Sequence, residues 1–321
     1  DPPGTAEIVV RNPRFGGFST GIPGGGSVGR MGYECFDVEI ADKVAHLRLN
    51  RADELNTMTP AFWRELPEIV NRIDAEGWAR VIVLSSSGKH FSAGMDLSVF
   101  TGGGGVLGGG SAVDGEPVEV GRQRASLRQG VRVLQDTFTC LEQARMPVLA
   151  AIQGGCIGGA VDMVTAADCR YATADAFFCI QEINIGMTAD VGTLQRLSKI
   201  IPEGVARELA YTGRRLPAER AVEVGLVNQV FATHDDLLAG VMEIAAEIAS
   251  KSPLAIWGTK ESVNFTRDWR QRLPGSPWAL DFIATWQTGM FQPTDMLECF
   301  AAKSEKRLPQ FQDLPPRPGG L

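Results

Sequence analysis

Two hydrophobic rhythms run through the chain, and the change from one to the other marks its elements. From Phe36 to Ile40 and from Val44 to Leu49, apolar and polar residues alternate around Ala41-Asp42-Lys43. A period of two puts every second side chain on one face, so these segments predict a β-hairpin or two adjacent strands. Val81-Ile82-Val83-Leu84-Ser85 and Pro147 to Ile152 are instead short apolar runs, each followed by a glycine-bearing turn. That is the pattern of strands in a sheet covered by helices. Thr59-Pro60 predicts a helix start, with Thr as cap and Pro in the first turn. Leu127, Val131, Leu134, Phe138 and Leu141 recur at helical spacing and define one apolar face ending near Arg145-Met146-Pro147. The last third is mostly helical. Pro217 to Val224 stops at Gly225, Val227 to Phe231 is a short strand, and helices are expected over Leu237–Ala249, Pro253–Val263, Trp278–Met290 and Thr294–Ala302. The class is α/β with a helical tail, and no internal repeat suggests a solenoid.

Composition narrows the picture. With 321 residues, 44% hydrophobic and 21% charged, the chain can bury a substantial core. A net charge of −7 argues against a nucleic-acid surface. The six cysteines lack CxxC spacing and are read as reduced packing residues, not as a disulfide framework. No apolar run reaches the roughly 18 residues of a membrane-spanning helix, so no membrane partner is expected. Residues 1–30 are rich in Gly and Pro without an apolar signal core; they are expected to be a flexible extension, with Met31 opening the folded part. The terminus Gly319-Gly320-Leu321 is not Ser-Lys-Leu, and a cytoplasmic, bacterial-type location is expected. Gly102 to Gly110 holds seven glycines in nine residues and is expected to be a surface loop. No Gly-Lys-Ser/Thr follows it, so it is not a phosphate cradle.

The chemistry concentrates in Gly154-Gly155-Cys156-Ile157-Gly158-Gly159-Ala160-Val161-Asp162, with Glu182 and Asp190 beyond. Glycines let a backbone approach a ligand and aim N–H groups at developing charge, and nearby acids can move protons on that ligand. Oxyanion donors plus several acids without an obvious nucleophile suggest enolate chemistry. A second junction, His90-Phe91-Ser92-Ala93-Gly94-Met95-Asp96-Leu97, follows the strand at 81–85, and two amides from such junctions can converge on one carbonyl oxygen. Quieter readings stay open. Asp162 could serve only the first turn of its helix, Asp190 could be an N-cap, and Glu182 could be a solvated strand end. Asp168 is expected to pair with an arginine or cap a turn, and Cys156 to be packing. His46 and His90 have no ligand spacing, so no metal is expected.

These segments resemble the enoyl-CoA hydratase/isomerase (crotonase) superfamily. The cues are Phe91 to Leu97, Gly154 to Asp162, Ala167-Asp168-Cys169-Arg170 and Gly225-Leu226-Val227. The stretch Gln181 to Leu197, with its third acid eight residues after Glu182, resembles the Δ3,5-Δ2,4-dienoyl-CoA isomerases in particular. The resemblance implies a crotonase (ClpP-like) spiral of ββα units over 31–250. It also implies a C-terminal helical trimerisation region over 251–321, and a homotrimer or homohexamer. It implies an oxyanion hole from the amides of Met95 and Gly159, with Asp190 as base at C2, Glu182 as acid at C6 and Asp162 orienting or tuning them. Ala93 and Asp53 to Leu55 would lie along the adenine and pantetheine, with Lys260 and Lys303 as candidate phosphate partners. No cofactor is implied beyond coenzyme A, which is part of the acyl-CoA substrate. Two rivals remain: an enoyl-CoA hydratase using Asp162 and Glu182 on water, and a non-catalytic or RNA-binding crotonase-fold scaffold.

Overall fold

A computed structural model describes residues 29–96, 99, 120–269 and 293–316. The Gly102–Gly110 segment, the helix expected over 278–290 with Trp278, Phe282, Trp286, Met290 and Phe291, and most of the N-terminal extension lie outside the described residues.

The two hydrophobic rhythms become two kinds of strand. Strands β1 (Gly29–Gly32), β2 (Phe36–Ala41) and β3 (Val44–Leu49) form an antiparallel meander. Gly29 and Arg30 already pair with Ile40 and Glu39, so the folded part begins before Met31: backbone pairing at a sheet edge needs no apolar side chain to announce it. Strand β3 then pairs in parallel with β4 (Val81–Ser86), which leads through β5 (Val148–Ile152) and β7 (Cys169–Thr173) to β10 (Gln229–Phe231). A second sheet holds β6 (Gly155–Ile157), β8 (Phe177–Cys179) and β9 (Leu216–Pro217).

Strand β4 is buried throughout because both faces are covered. Val81 and Val83 pack with Leu149 and Ala151 against Leu237, Val241 and Ala245 of helix α7 (His234–Ala249). Ile82 and Leu84 face the main core with α1 (Pro60–Glu76) and α2 (Val120–Gln143). There Phe62 stacks on Phe36 at 5.3 Å, and Trp63 meets Phe138 at 5.2 Å. The remaining helices among the described residues are α3 (Gly159–Thr165), α4 (Thr193–Ile200), α5 (Glu203–Thr212), α6 (Ala218–Glu223), α8 (Pro253–Trp269) and α9 (Pro293–Glu305). Thr59 does precede α1, but its hydroxyl caps nothing and lies 3.4 Å from the Cys35 sulfur. Thr233 is a working cap: its hydroxyl accepts the Asp236 N–H, starting α7 earlier than the apolar spacing suggested.

Candidate active site

Two chain segments leave neighbouring parallel strands and run side by side. After β4, Ser92 N donates to Gly155 O and Ser92 O accepts from Ile157 N, binding the 90–96 loop to β6. The Ser92 hydroxyl donates to Asn56 O and accepts from Gly94 N, which closes the turn. Gly94 takes φ +85, and a Cβ there would lie 2.5 Å from Ile157 O, so only glycine permits this approach. The same imaginary Cβ lies 3.2 Å from Gly159 N, and one on Gly159 lies 3.7 Å from Met95 N. The amides of Met95 and Gly159 are therefore neighbours. Neither donates to a backbone acceptor among the described residues. Two adjacent unspent N–H donors are what an oxyanion hole requires.

The three acids lie on the segments that follow in the chain. Asp162 lies in α3 at 1% exposure. Its Oδ1 accepts the Thr193 N–H at 2.6 Å, and its Oδ2 is buried without a partner. Strand β8 pairs with β6 through Ile157 and Cys179, bringing Glu182 back beside Gly158. A Cβ on Gly158 would lie 3.4 Å from Glu182 Oε1, while Oε2 is buried and unpartnered. Asp190 is half-buried, in the segment entering α4. Burial raises the pKa of each of the three above its own ordinary value. Glu182 is pushed up to about 7, first by burial and then by the negative charge of Asp162, with Asp190 adding to it. Asp162 rises to about 6 through burial, opposed by its bond from Thr193 and by Arg196, with Asp190 raising it again. Glu182 thus senses both other carboxylates, and Asp162 senses Asp190.

The quieter readings meet specific outcomes. Helix α4 is capped by Asp162 reaching across from α3, not by Asp190, and the cap position itself is Gly192. Glu182 is not a solvated strand end; it opens a short 3-10 turn, Glu182–Ile185, closed by Gly186 in a left-handed conformation. Cys156 is fully buried, and burial pushes its thiol well above the usual range, as befits packing. His90 accepts the Gly155 N–H through Nδ1, and His46 bonds to Ser85. Among the described residues no three His, Cys, Asp or Glu cluster as metal ligands would.

Ala93 and the 53–55 turn do meet: Ala93 N donates to Leu55 O at 2.9 Å, with Asp53 and Leu55 exposed. Lys303 is exposed on α9. Lys260 is a correction. It is 6% exposed, and its ammonium donates to Leu141 O, Met146 O and Asp168 Oδ2. All three ammonium donors are spent inside the protein, which leaves none for a phosphate. Asp168 consequently pairs with this lysine and accepts the Val148 N–H, rather than pairing with an arginine. Sequence reasoning also missed Gln135 and Arg196, which hold the Asp190 segment. The visible signal was the polar ridge Gln135, Thr139, Glu142 bordering the apolar face of α2.

The family model described as enoyl-CoA hydratase/isomerase matches residues 39–314. The Δ3,5-Δ2,4-dienoyl-CoA isomerase of Mus musculus, named as mitochondrial, is 40% identical over 277 residues, covering 86% of this chain and 81% of the mouse protein. The peroxisomal enzyme of the same name from Arabidopsis thaliana is 40% identical over 271 residues, covering 84% of this chain and 93% of its own. Among solved structures, the enoyl-CoA hydratase of Bacillus anthracis superposes with a TM-score of 0.73 at 31% identity, covering 87% of this chain and 99% of that one. The chain belongs to the enoyl-CoA hydratase/isomerase family of enzymes, and its α/β architecture with C-terminal helices is the crotonase fold.

Proposed function

We propose that this enzyme is an isomerase that converts a 3,5-dienoyl-CoA into the 2,4-dienoyl-CoA. The acyl oxygen accepts the Met95 and Gly159 amides. The Asp190 carboxylate takes a proton from C2, the electron pair delocalises into a dienolate held by those amides, and the Glu182 carboxyl gives its proton to C6. The diene shifts by one carbon, Asp190 ends protonated and Glu182 ionised, and exchange with solvent resets both. The two ends of a conjugated system lie too far apart for one carboxylate, so two separated acid–base groups suit the reaction. A buried Glu182 raised to about 7 can start as the acid near neutrality.

The observation that carries this reading is Asp190, a third acid whose charge is felt by both Asp162 and Glu182. Hydration of an enoyl group needs only two acids. Moreover, one oxygen of Asp162 is committed to Thr193 N, which suits a positioning acid better than a water-activating one. The names of the mouse and Arabidopsis relatives support the same reaction. Coenzyme A arrives with the substrate, along Ala93 and Asp53 to Leu55. Assembly as a homotrimer or homohexamer is part of the proposal. So is the cytoplasmic location, although the two isomerase relatives are named for mitochondria and peroxisomes.

The test is an ultraviolet assay with 3,5-octadienoyl-CoA, which should yield the conjugated 2,4 product. Asp190→Asn should lower kcat by about 10²-fold or more. Rapid hydration of crotonyl-CoA, with no diene shift and no loss in Asp190→Asn, would establish the hydratase instead. Salt-sensitive RNA binding without turnover of any acyl-CoA would favour the scaffold.

A further inference from the structure

Asp190, Val191 and Gly192 form no regular element, yet side chains from three helices hold them and Thr193, which opens α4, at every step. Gln135 of α2 donates its amide to Asp190 O at 2.7 Å. Arg196 donates to Val191 O. Gly192 takes φ +132, and a Cβ there would lie 1.8 Å from an Arg196 guanidinium nitrogen, so the arginine lies directly over the glycine. Thr193 N is held by Asp162 of α3. Arg196 is itself anchored at 9% exposure: it ion-pairs with Glu142 at 2.8 Å and donates to Thr139 Oγ1 at 3.2 Å. Gln135, Thr139 and Glu142 stand at i, i+4 and i+7, one ridge of α2.

We propose that Gln135 and Arg196 are positioning residues that set the reach of the Asp190 carboxylate toward the substrate. The inference rests on the isomerase reading above. The clamp grips two successive main-chain carbonyls immediately after the Asp190 side chain, Asp190 O and Val191 O, so the backbone there is fixed while the half-buried carboxylate stays available. Glu182 is carried on another element, the 3-10 turn Glu182–Ile185, and Asp162 is anchored in Gly159–Thr165, meeting the clamped segment at the Thr193 N–H. Loss of the clamp therefore disturbs one end of the proton relay, the C2 end, and leaves the oxyanion amides at Met95 and Gly159 where they are.

Gln135→Met tests this directly, because it keeps length and volume and removes the amide that donates to Asp190 O; Arg196→Lys is the companion. With 3,5-octadienoyl-CoA, kcat of Gln135→Met should fall by about tenfold or more, since a misplacement on the order of 1 Å is costly in a proton relay. KM should stay within about twofold, and deuterium exchange at C2 in D2O should slow in the same proportion as kcat. The melting temperature should stay at the wild-type value. Wild-type kcat and C2 exchange in folded Gln135→Met would overturn the clamp. So would a loss of kcat matched by a raised KM and a lowered melting temperature, which would mark a merely structural bond. If wild-type protein shows no diene shift at all, the isomerase reading fails and the clamp falls with it, an outcome separable from the others by the unmutated enzyme.

Discussion

Glu182 shows how one residue trades stability for chemistry. Its carboxyl is largely buried beside Gly158, one oxygen unpartnered, and burial followed by the charges of Asp162 and Asp190 lifts its pKa from 4.5 to about 7. A folded-state pKa above the unfolded one means that the folded protein holds the extra proton between these values. Stability therefore declines as pH rises from about 4.5 through 7. Glu182→Gln removes the ionisation. It should leave stability near wild type at pH 4 and raise it at pH 8, by about 1–3 kcal/mol. Urea unfolding at the two pH values reads the difference, and an equal effect at both would contradict it. The same variant should lose most diene isomerisation, since the amide has no proton to give C6.

Among the elements, α8 is tied to its neighbours through a buried cation. Lys260 plants its ammonium on Leu141 O, Met146 O and Asp168, thereby tying α8 to the end of α2 and to the start of β5. Nearby, the Arg145 guanidinium sits 5.7 Å from the Trp257 ring, a second tie between the same regions. Lys260→Met should cost about 1–3 kcal/mol, because it leaves the Leu141 and Met146 carbonyls without their buried donor, the pair to the more exposed Asp168 adding little. In variant protein that remains folded, KM for an acyl-CoA should stay within about twofold of wild type. A large rise in KM with unchanged stability would return Lys260 to the phosphate role that its position in the sequence suggested.

At the scale of the whole molecule, the segment after α9 runs back across the sheet and fastens elements far apart in sequence. Asp313 pairs with Lys43 and Arg80, and Arg80 also donates to Ala249 O and Phe311 O. Pro315 O receives Arg145, and Leu314 O lies so close to Gly77 that a Cβ there would be 2.6 Å away. Burial raises the Asp313 pKa, but the bonds from Lys43 and Arg80 outweigh it and hold the group below its ordinary value. A depressed folded-state pKa contributes stability above the unfolded pKa and loses it as pH falls through the folded one. Asp313→Asn should therefore cost about 0.5–1 kcal/mol at pH 7, modest because the pair is partly exposed, and progressively less as the pH falls into the acid range. Thermal melts across that range check it. The −7 net charge adds no basic surface to this picture, and no described helix is long and apolar enough to cross a membrane.

Much of this was legible beforehand, for reasons that differ by residue. The doubly covered strand at Val81–Ser86 and the hairpin around Asp42-Lys43 follow from local periodicity, which burial on two faces or one face imposes directly. The glycines at 94 and 158 were visible because positive φ and close approach exclude other residues. Lys260 and Gln135 were not legible in their roles. A lysine buried against carbonyls has the same letter as one in solvent, and a glutamine on a helix edge does not reveal which loop will pass beneath it. Likewise Asp162 looked like a residue of its own helix and instead caps another. The order of residues determines which segments can be strands, helices or tight turns, because those choices depend on neighbours in the chain. Which carboxylates lie together, which amides stay unspent and which cation is consumed inside depend on groups far apart in sequence. Only packing brings these within hydrogen-bonding distance and removes the water that would otherwise hold their charges at ordinary values.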